Sequence, residues 1–167
     1  MFSSYKKHNN QLYNNLVKLS RNNFFYIDVK LEDKIETRLI LIFFHFAVIL
    51  TASRIETKKK QAQEIFDNIF QNIEYSIREL GYGDVAVNKK MKDLTRLFYD
   101  ILLSFDKSDS VLSDKNFYFL RKYFSSNEKK DTENMVKLTE YFNKFRNFCF
   151  DLDMKNMLNG SFNFVYK

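Results

Sequence analysis

The chain of 167 residues contains no proline, no tryptophan, one cysteine, two histidines and three glycines. Each scarcity excludes something. Without proline, no helix is broken by a missing N–H or by a ring clash. One cysteine, Cys149, cannot close an internal disulfide. It falls in an apolar pattern of helical spacing and reads as a buried, reduced thiol in a reducing compartment. Two histidines without clustered acids or cysteines do not supply a metal site, and no metal or other cofactor is expected. His8 lies in a polar N-terminal stretch, so it makes no haem-ligating pair with His45. His45 reads as a core histidine bonded to a neighbour. No nucleophile, base and orienting group can be assembled either. Ser20, Ser76 and Ser104 lack a glycine elbow, and the adjacent Glu32 and Asp33 point apart on a helix. The chain is therefore read as non-catalytic.

What is present is a 45% apolar fraction dominated by 19 Phe and 10 Tyr. The accompanying Asn, Lys and Ile look like drift toward AT-rich codons, so the aromatics are not taken as a base-stacking signal. A chain of this length is most simply one domain, residues 1–167, and buries roughly two thirds of its unfolded surface. The formal net charge of +6 is uneven. Residues 1–60 are net +6 (11 basic, 5 acidic), residues 61–110 net −3 (6 and 9) and residues 111–167 net +3 (10 and 7). Basic flanks around an acidic middle favour an anionic surface such as ribosomal RNA or anionic lipid. The only tight basic run, Lys58, Lys59 and Lys60, is equally well explained as a solvated helix start. Met1 is followed by polar residues, which argues against a secretory leader.

Apolar spacing predicts an all-α bundle. Ala62, Phe66, Ile69, Ile73, Ile77 and Leu80 make one stripe of three- and four-residue steps. Val87, Met91, Leu94, Phe98, Ile101 and Phe105 make a second, and Met135, Leu138, Phe142, Phe145, Cys149 and Leu152 a third. Leu12, Leu16 and Leu19, and Phe117, Leu120 and Phe124, make shorter ones. Six helices are expected, over about 4–25, 34–54, 57–81, 86–106, 114–125 and 131–152. Asp131, and Ser113 or Asp114, are suited to N-caps. The twelve-residue run LILIFFHFAVIL, residues 39–50, is short of the roughly 20 that a bilayer requires and is read as a buried central helix. Two short stretches, FFYIDVKL at 24–31 and FNFVY near the end, are ambiguous between helix and strand. "FYFLRKYF", residues 117–124, mixes aromatic and basic residues and is read as a partly buried helix.

Two of the three glycines fall in RELGYGDVAVNKKMK, residues 78–92. Gly81 stands where a left-handed C-terminal cap is wanted, Gly83 lets the chain turn again, and Asp84 suits an N-cap. A phosphate-binding loop fits poorly, because the Walker ending is missing and Asp84 would repel a phosphate. Capping alone leaves open whether this is a helix hinge or a surface that a partner reads.

The block LGYGDVAVNKKMKDLTRLFYD resembles the signature of the ubiquinol–cytochrome c chaperone family, through Arg78, Glu79, Leu80, Gly81, Gly83, Asp84, Val87, Lys89, Lys92, Phe98 and Tyr99. IFDNIF at 65–70 and SRNNFFY at 20–26 resemble further family segments, and Arg38 and His45 stand where the family carries an arginine and a histidine. Thr37, Leu39 and Asp100 depart from the pattern, and residues 106–167 show little of it, so the family-like core is placed at about 20–105. The resemblance implies an assembly factor that binds newly made cytochrome b during biogenesis of the bc1 complex. It implies a partner-binding surface at Arg78, Glu79, Gly81, Gly83, Asp84, Lys89 and Lys92, with Arg38 and His45 in support. A ribosome, a co-chaperone or an anionic membrane surface are further expected partners, and DNA is not. The expected location is the bacterial cytoplasm, peripheral to the inner membrane, or the matrix side in a mitochondrion. An RNA- or ribosome-binding module acting through basic ends is the alternative.

Overall fold

A computed structural model describes residues 10–55, 58–106, 118–124 and 132–167. The described residues form seven α-helices and no strand: α1 (Gln11–Ser20), α2 (Ile35–Ser53), α3 (Lys59–Glu79), α4 (Asp84–Asp106), α5 (Tyr118–Phe124), α6 (Thr132–Phe150) and α7 (Met154–Asn159). Helix α2 organises the rest. Residues 41–50 are all buried, and α2 packs against α1, α4, α6 and α7. By length and composition α2, at 19 residues, could cross a membrane. Here that apolar surface is covered by the neighbouring helices, each of which turns one apolar stripe inward.

The stripes read from sequence face the core. Ile69, Ile73 and Ile77 of α3 and Val87, Phe98 and Ile101 of α4 are buried, and Phe70 and Phe98 meet at 5.5 Å between ring centroids. Met135, Leu138, Phe142, Phe145 and Cys149 of α6 are buried as well. Burial pushes the Cys149 thiol up to about 12. Leu80 is the exception among the stripe residues: it lies beyond the end of α3 and is 52% exposed.

Three segments differ from the sequence expectation, each for a local reason. The first predicted helix stops at Ser20. The Asn22 carboxamide oxygen accepts the backbone N–H of Phe24 at 3.0 Å, an alternative to helical pairing that Asn side chains offer. Residues 24–31 are neither strand nor continuing α-helix. Phe24–Asp28 make one π-helical turn, closed by Val29 N–H to the Phe24 carbonyl at 3.0 Å, and Lys30 then takes a left-handed φ of 59°. The wide turn carries Phe25 and Val29 into the core while Phe24 stacks on Tyr141. Helix α7 was not anticipated. It is framed by Asp153, whose Oδ1 accepts the Asn156 N–H at 2.9 Å, and by Gly160 in the left-handed region.

The FNFVY stretch is an extended tail without a partner strand. Phe162, Phe164 and Tyr166 turn inward on α6 while Asn163 and Val165 face out. The Asn15 amide donates to the carbonyls of Gly160 and Phe162 at 3.2 and 2.8 Å and pins that tail to α1. The caps proposed at Ser113, Asp114 and Asp131, the ends of the predicted helices at 4–9, 57, 114–117 and 125, and His8 lie outside the described residues.

The three glycines sit in three different physical situations. Gly81 has φ +91° with open space around it. Gly160 has φ +76°, and a Cβ there would lie 2.6 Å from the backbone nitrogen of Leu12. Gly83 has neither a positive φ nor a neighbour that a Cβ would meet. Alanine at these positions should therefore rank in stability by denaturant unfolding. Gly160→Ala is expected to cost about 3 kcal/mol or more, from conformation plus overpacking against backbone. Gly81→Ala should cost about 1 kcal/mol from conformation alone, and Gly83→Ala only some tenths.

Candidate partner-binding site

The predicted site is the connection between α3 and α4. Leu80 closes α3 with an ordinary helical φ, and the Gly81 N–H bonds the Arg78 carbonyl at 2.9 Å, the inner bond of a Schellman-type cap. Gly81 is thus the left-handed cap that the sequence suggested. Asp84 plays a different part from the expected N-cap. It is the first residue of α4, the Val87 N–H bonds back to the Gly83 carbonyl at 2.9 Å, and the Asp84 carboxylate is taken by Arg78.

Arg78 clamps the turn. Its Nε and Nη2 donate to Glu74 Oε1 at 3.0 and 2.8 Å, and its Nη1 donates to Asp84 Oδ1 at 2.5 Å. One guanidinium therefore ties the last turns of α3 to the first turn of α4, and these hydrogen bonds hold its pKa above the ordinary arginine value. Both charges also suit their helix ends, a cation at the C-terminus of α3 and an anion at the N-terminus of α4. Surface ion pairs add little stability, so the effect of this one is on orientation. The turn itself is held out to solvent, with Glu79, Gly81, Gly83, Lys89 and Lys92 all exposed. Tyr82 is 44% exposed, with the Lys90 ammonium 4.6 Å above its ring.

Arg38 does not touch this turn. It forms a two-pronged pair with Asp33, Nε to Oδ1 at 2.7 Å and Nη2 to Oδ2 at 2.9 Å. That bond raises the arginine pKa and lowers that of the carboxyl. Tyr13, whose hydroxyl meets Ser76 Oγ at 2.9 Å, feels the charges of Arg21 and Glu79, while Tyr26 feels those of Asp33, Arg38 and Arg21.

His45 cannot belong to a surface that a partner reads, because it is 0% exposed. It sits among Phe25, Phe142 and Phe145, with Nδ1 at 2.6 Å from the Leu41 carbonyl and Nε2 at 2.8 Å from the Tyr141 hydroxyl. This network assigns the neutral tautomer: Nδ1–H donates to Leu41 and Nε2 accepts from Tyr141. Sequence reading found the histidine but not Tyr141, which lies 96 residues further on.

Among the described residues no group of three or more His, Cys, Asp or Glu could hold a metal. A groove of about 230 Å³ lies between the 29–37 segment, α5 and α6, lined among others by Lys30, Glu32, Thr37, Ile40, Tyr123 and Met135. None of the predicted site residues lines it.

Among the described residues no Asp, Glu, Lys or Arg is buried, and the clamped α3–α4 turn is exposed. A family model described as ubiquinol-cytochrome C chaperone matches residues 28–164, and the chain belongs to that family. The match runs well past Asp106, where the recognisable motifs stop, and begins after the SRNNFFY segment. The crystal structure of the Cbp3 homolog from Brucella abortus has the same fold, with a TM-score of 0.69 at 22% identity, covering 93% of this chain and 87% of that one. A comparison with curated proteins found no match.

The His45 site carries a pH signature. Burial pulls its pKa from 6.5 down to about 4. Between those values the unfolded chain binds a proton that the folded one excludes, so stability is complete above about pH 6.5 and falls as the pH drops. The loss should reach about 3 kcal/mol by pH 4, read by denaturant titration at a series of pH values against His45→Phe/Tyr141→Phe, in which this component is missing. At neutral pH Tyr141→Phe alone should cost about 1–3 kcal/mol by leaving Nε2 buried without a donor.

Proposed function

We infer that the protein is a non-catalytic assembly factor that binds newly made cytochrome b and supports biogenesis of the ubiquinol–cytochrome c reductase complex. Family membership over residues 28–164 is the observation that carries this reading. The mechanism is physical. A membrane protein that has not yet received its haem and partner subunits exposes apolar segments that aggregate. A protein that binds this state and not later ones shifts the population away from aggregation by mass action. The place of work is then the membrane face on which cytochrome b is inserted.

The contact is assigned to the α3–α4 turn. Arg78 and Gly81 fix its shape, so little conformational entropy is lost when a partner docks there. Gly83 supports this assignment. Nothing inside the chain demands a glycine at that position. Absence of a side chain there leaves the backbone open to close approach from outside.

Native affinity purification of the tagged chain from its own cells tests both parts. Cytochrome b is expected with the parent chain. It should be lost by tenfold or more with Gly83→Val or with Arg78→Ala/Asp84→Ala, in variants whose thermal unfolding confirms the fold. Absence of cytochrome b from the parent sample would overturn the client. Recovery equal in parent and variants would move the contact away from the turn.

A further inference from the structure

The acidic middle segment of the chain carries a basic face once folded. Val85, Lys89, Lys92, Arg96, Tyr99 and Leu103 follow one another at steps of four and three along α4, and all six are exposed. At 100° per residue they lie in a sector about 80° wide and about 27 Å long. The centre of this line is three cations and its ends are apolar. Val85 is 86% exposed and Leu103 53%. Leu80 and Tyr82, on the adjoining turn, are 52% and 44% exposed. Of the three cations on this line, the ion pairs of α4's acids among the described residues engage only Arg96. Asp84 is held by Arg78, and Asp100 by Lys122 and the Tyr123 hydroxyl. Asp93 reaches only Arg96, at 3.8 Å. Lys89 and Lys92 have no ion-pair partner among the described residues.

We propose that this face of α4, together with the 80–85 turn, docks the protein on an anionic phospholipid surface. The occupant follows from three properties. Lysines and arginines on one straight line meet a planar array of phosphates simultaneously, and each adds to binding at an anionic membrane. Exposed Leu, Val and Tyr at the ends gain by entering the headgroup–acyl boundary, a gain that an RNA backbone does not offer them. The face is the convex ridge of a single helix. A protein helix would want a groove, whereas lipid headgroups rearrange around a ridge. This surface shares the 80–85 turn with the proposed client contact, but it does not rest on the identity of the client and is tested without cytochrome b.

The test is co-sedimentation of the full chain with vesicles of phosphatidylcholine alone and of phosphatidylcholine with phosphatidylglycerol. Binding is expected only to the anionic vesicles and should weaken as salt rises. At about 5-fold per cation, Lys89→Gln/Lys92→Gln/Arg96→Gln should lose about 100-fold in affinity. Val85→Ser/Leu103→Ser, with the charge unchanged, should weaken binding severalfold, and all these positions are exposed enough to leave the fold intact. No sedimentation with anionic vesicles, or binding that neither variant changes, would overturn the proposal. Binding that only the charge variant reduces, and that free ribosomal RNA matches in affinity, would overturn it in favour of phosphate-backbone recognition.

Discussion

A helix whose middle ten residues are all buried has no polar face to spare there, and that condition governs this molecule. Residues 41–50 contribute ten consecutive buried side chains, mostly Phe, Leu, Ile and Val, each stabilising by roughly 2 kcal/mol when taken from water. The surrounding helices can then be simple amphipathic ones, each giving one stripe to α2 or to its neighbours. Most polar side chains inside find partners within the chain, although the buried Thr139 hydroxyl has none among the described residues. His45 reaches Leu41 and Tyr141, Thr51 bonds back to Ala47 and Val48, and Ser53 to Leu50. The charges of the α3–α4 turn and of the outer face of α4 are left facing solvent.

The parts of this design that were legible in the sequence are those governed by period and by local chemistry. The stripes of α3, α4 and α6 needed only spacing. The Gly81 cap needed only a glycine one residue beyond the end of a stripe. The parts that were not legible depend on competition or on distance. Asn22 ends α1 by offering its side chain where the backbone would otherwise have continued. The π-turn at Phe24–Asp28 exists because three successive aromatics all find core contacts, which no periodicity announces. Helix α7 did carry a signal, Asp153 and Gly160 framing six residues, but its apolar content is too short to form a stripe. Net charge counted along the chain misled in a specific way. The segment 61–110 is net −3, yet folding directs Lys89, Lys92 and Arg96 to one line. Asp84 and Asp100, meanwhile, are engaged by other residues.

The site illustrates how a fold can leave a residue type unexplained by its own needs. Gly81 and Gly160 are required by backbone conformation, and Gly160 also by the proximity of Leu12. Asp84 and Arg78 are explained by each other. Gly83, between them, satisfies no internal demand. A partner that approaches the backbone from outside, as proposed for this turn, would give that glycine a reason.

The proposed client contact and the proposed lipid contact would both rest on one piece of geometry. The turn lies at the N-terminal end of the α4 line, so a protein resting on that line holds the turn at the level of the headgroups. A client that is itself being inserted presents its segments at the same depth. Confining both to a surface raises the effective concentration of one for the other without any stronger contact between them. In that proposal the clamp of Arg78 on Glu74 and Asp84 would keep this alignment. Were the turn loose, the orientation imposed by the lysines of α4 would not reach Gly83 and the exposed backbone around it.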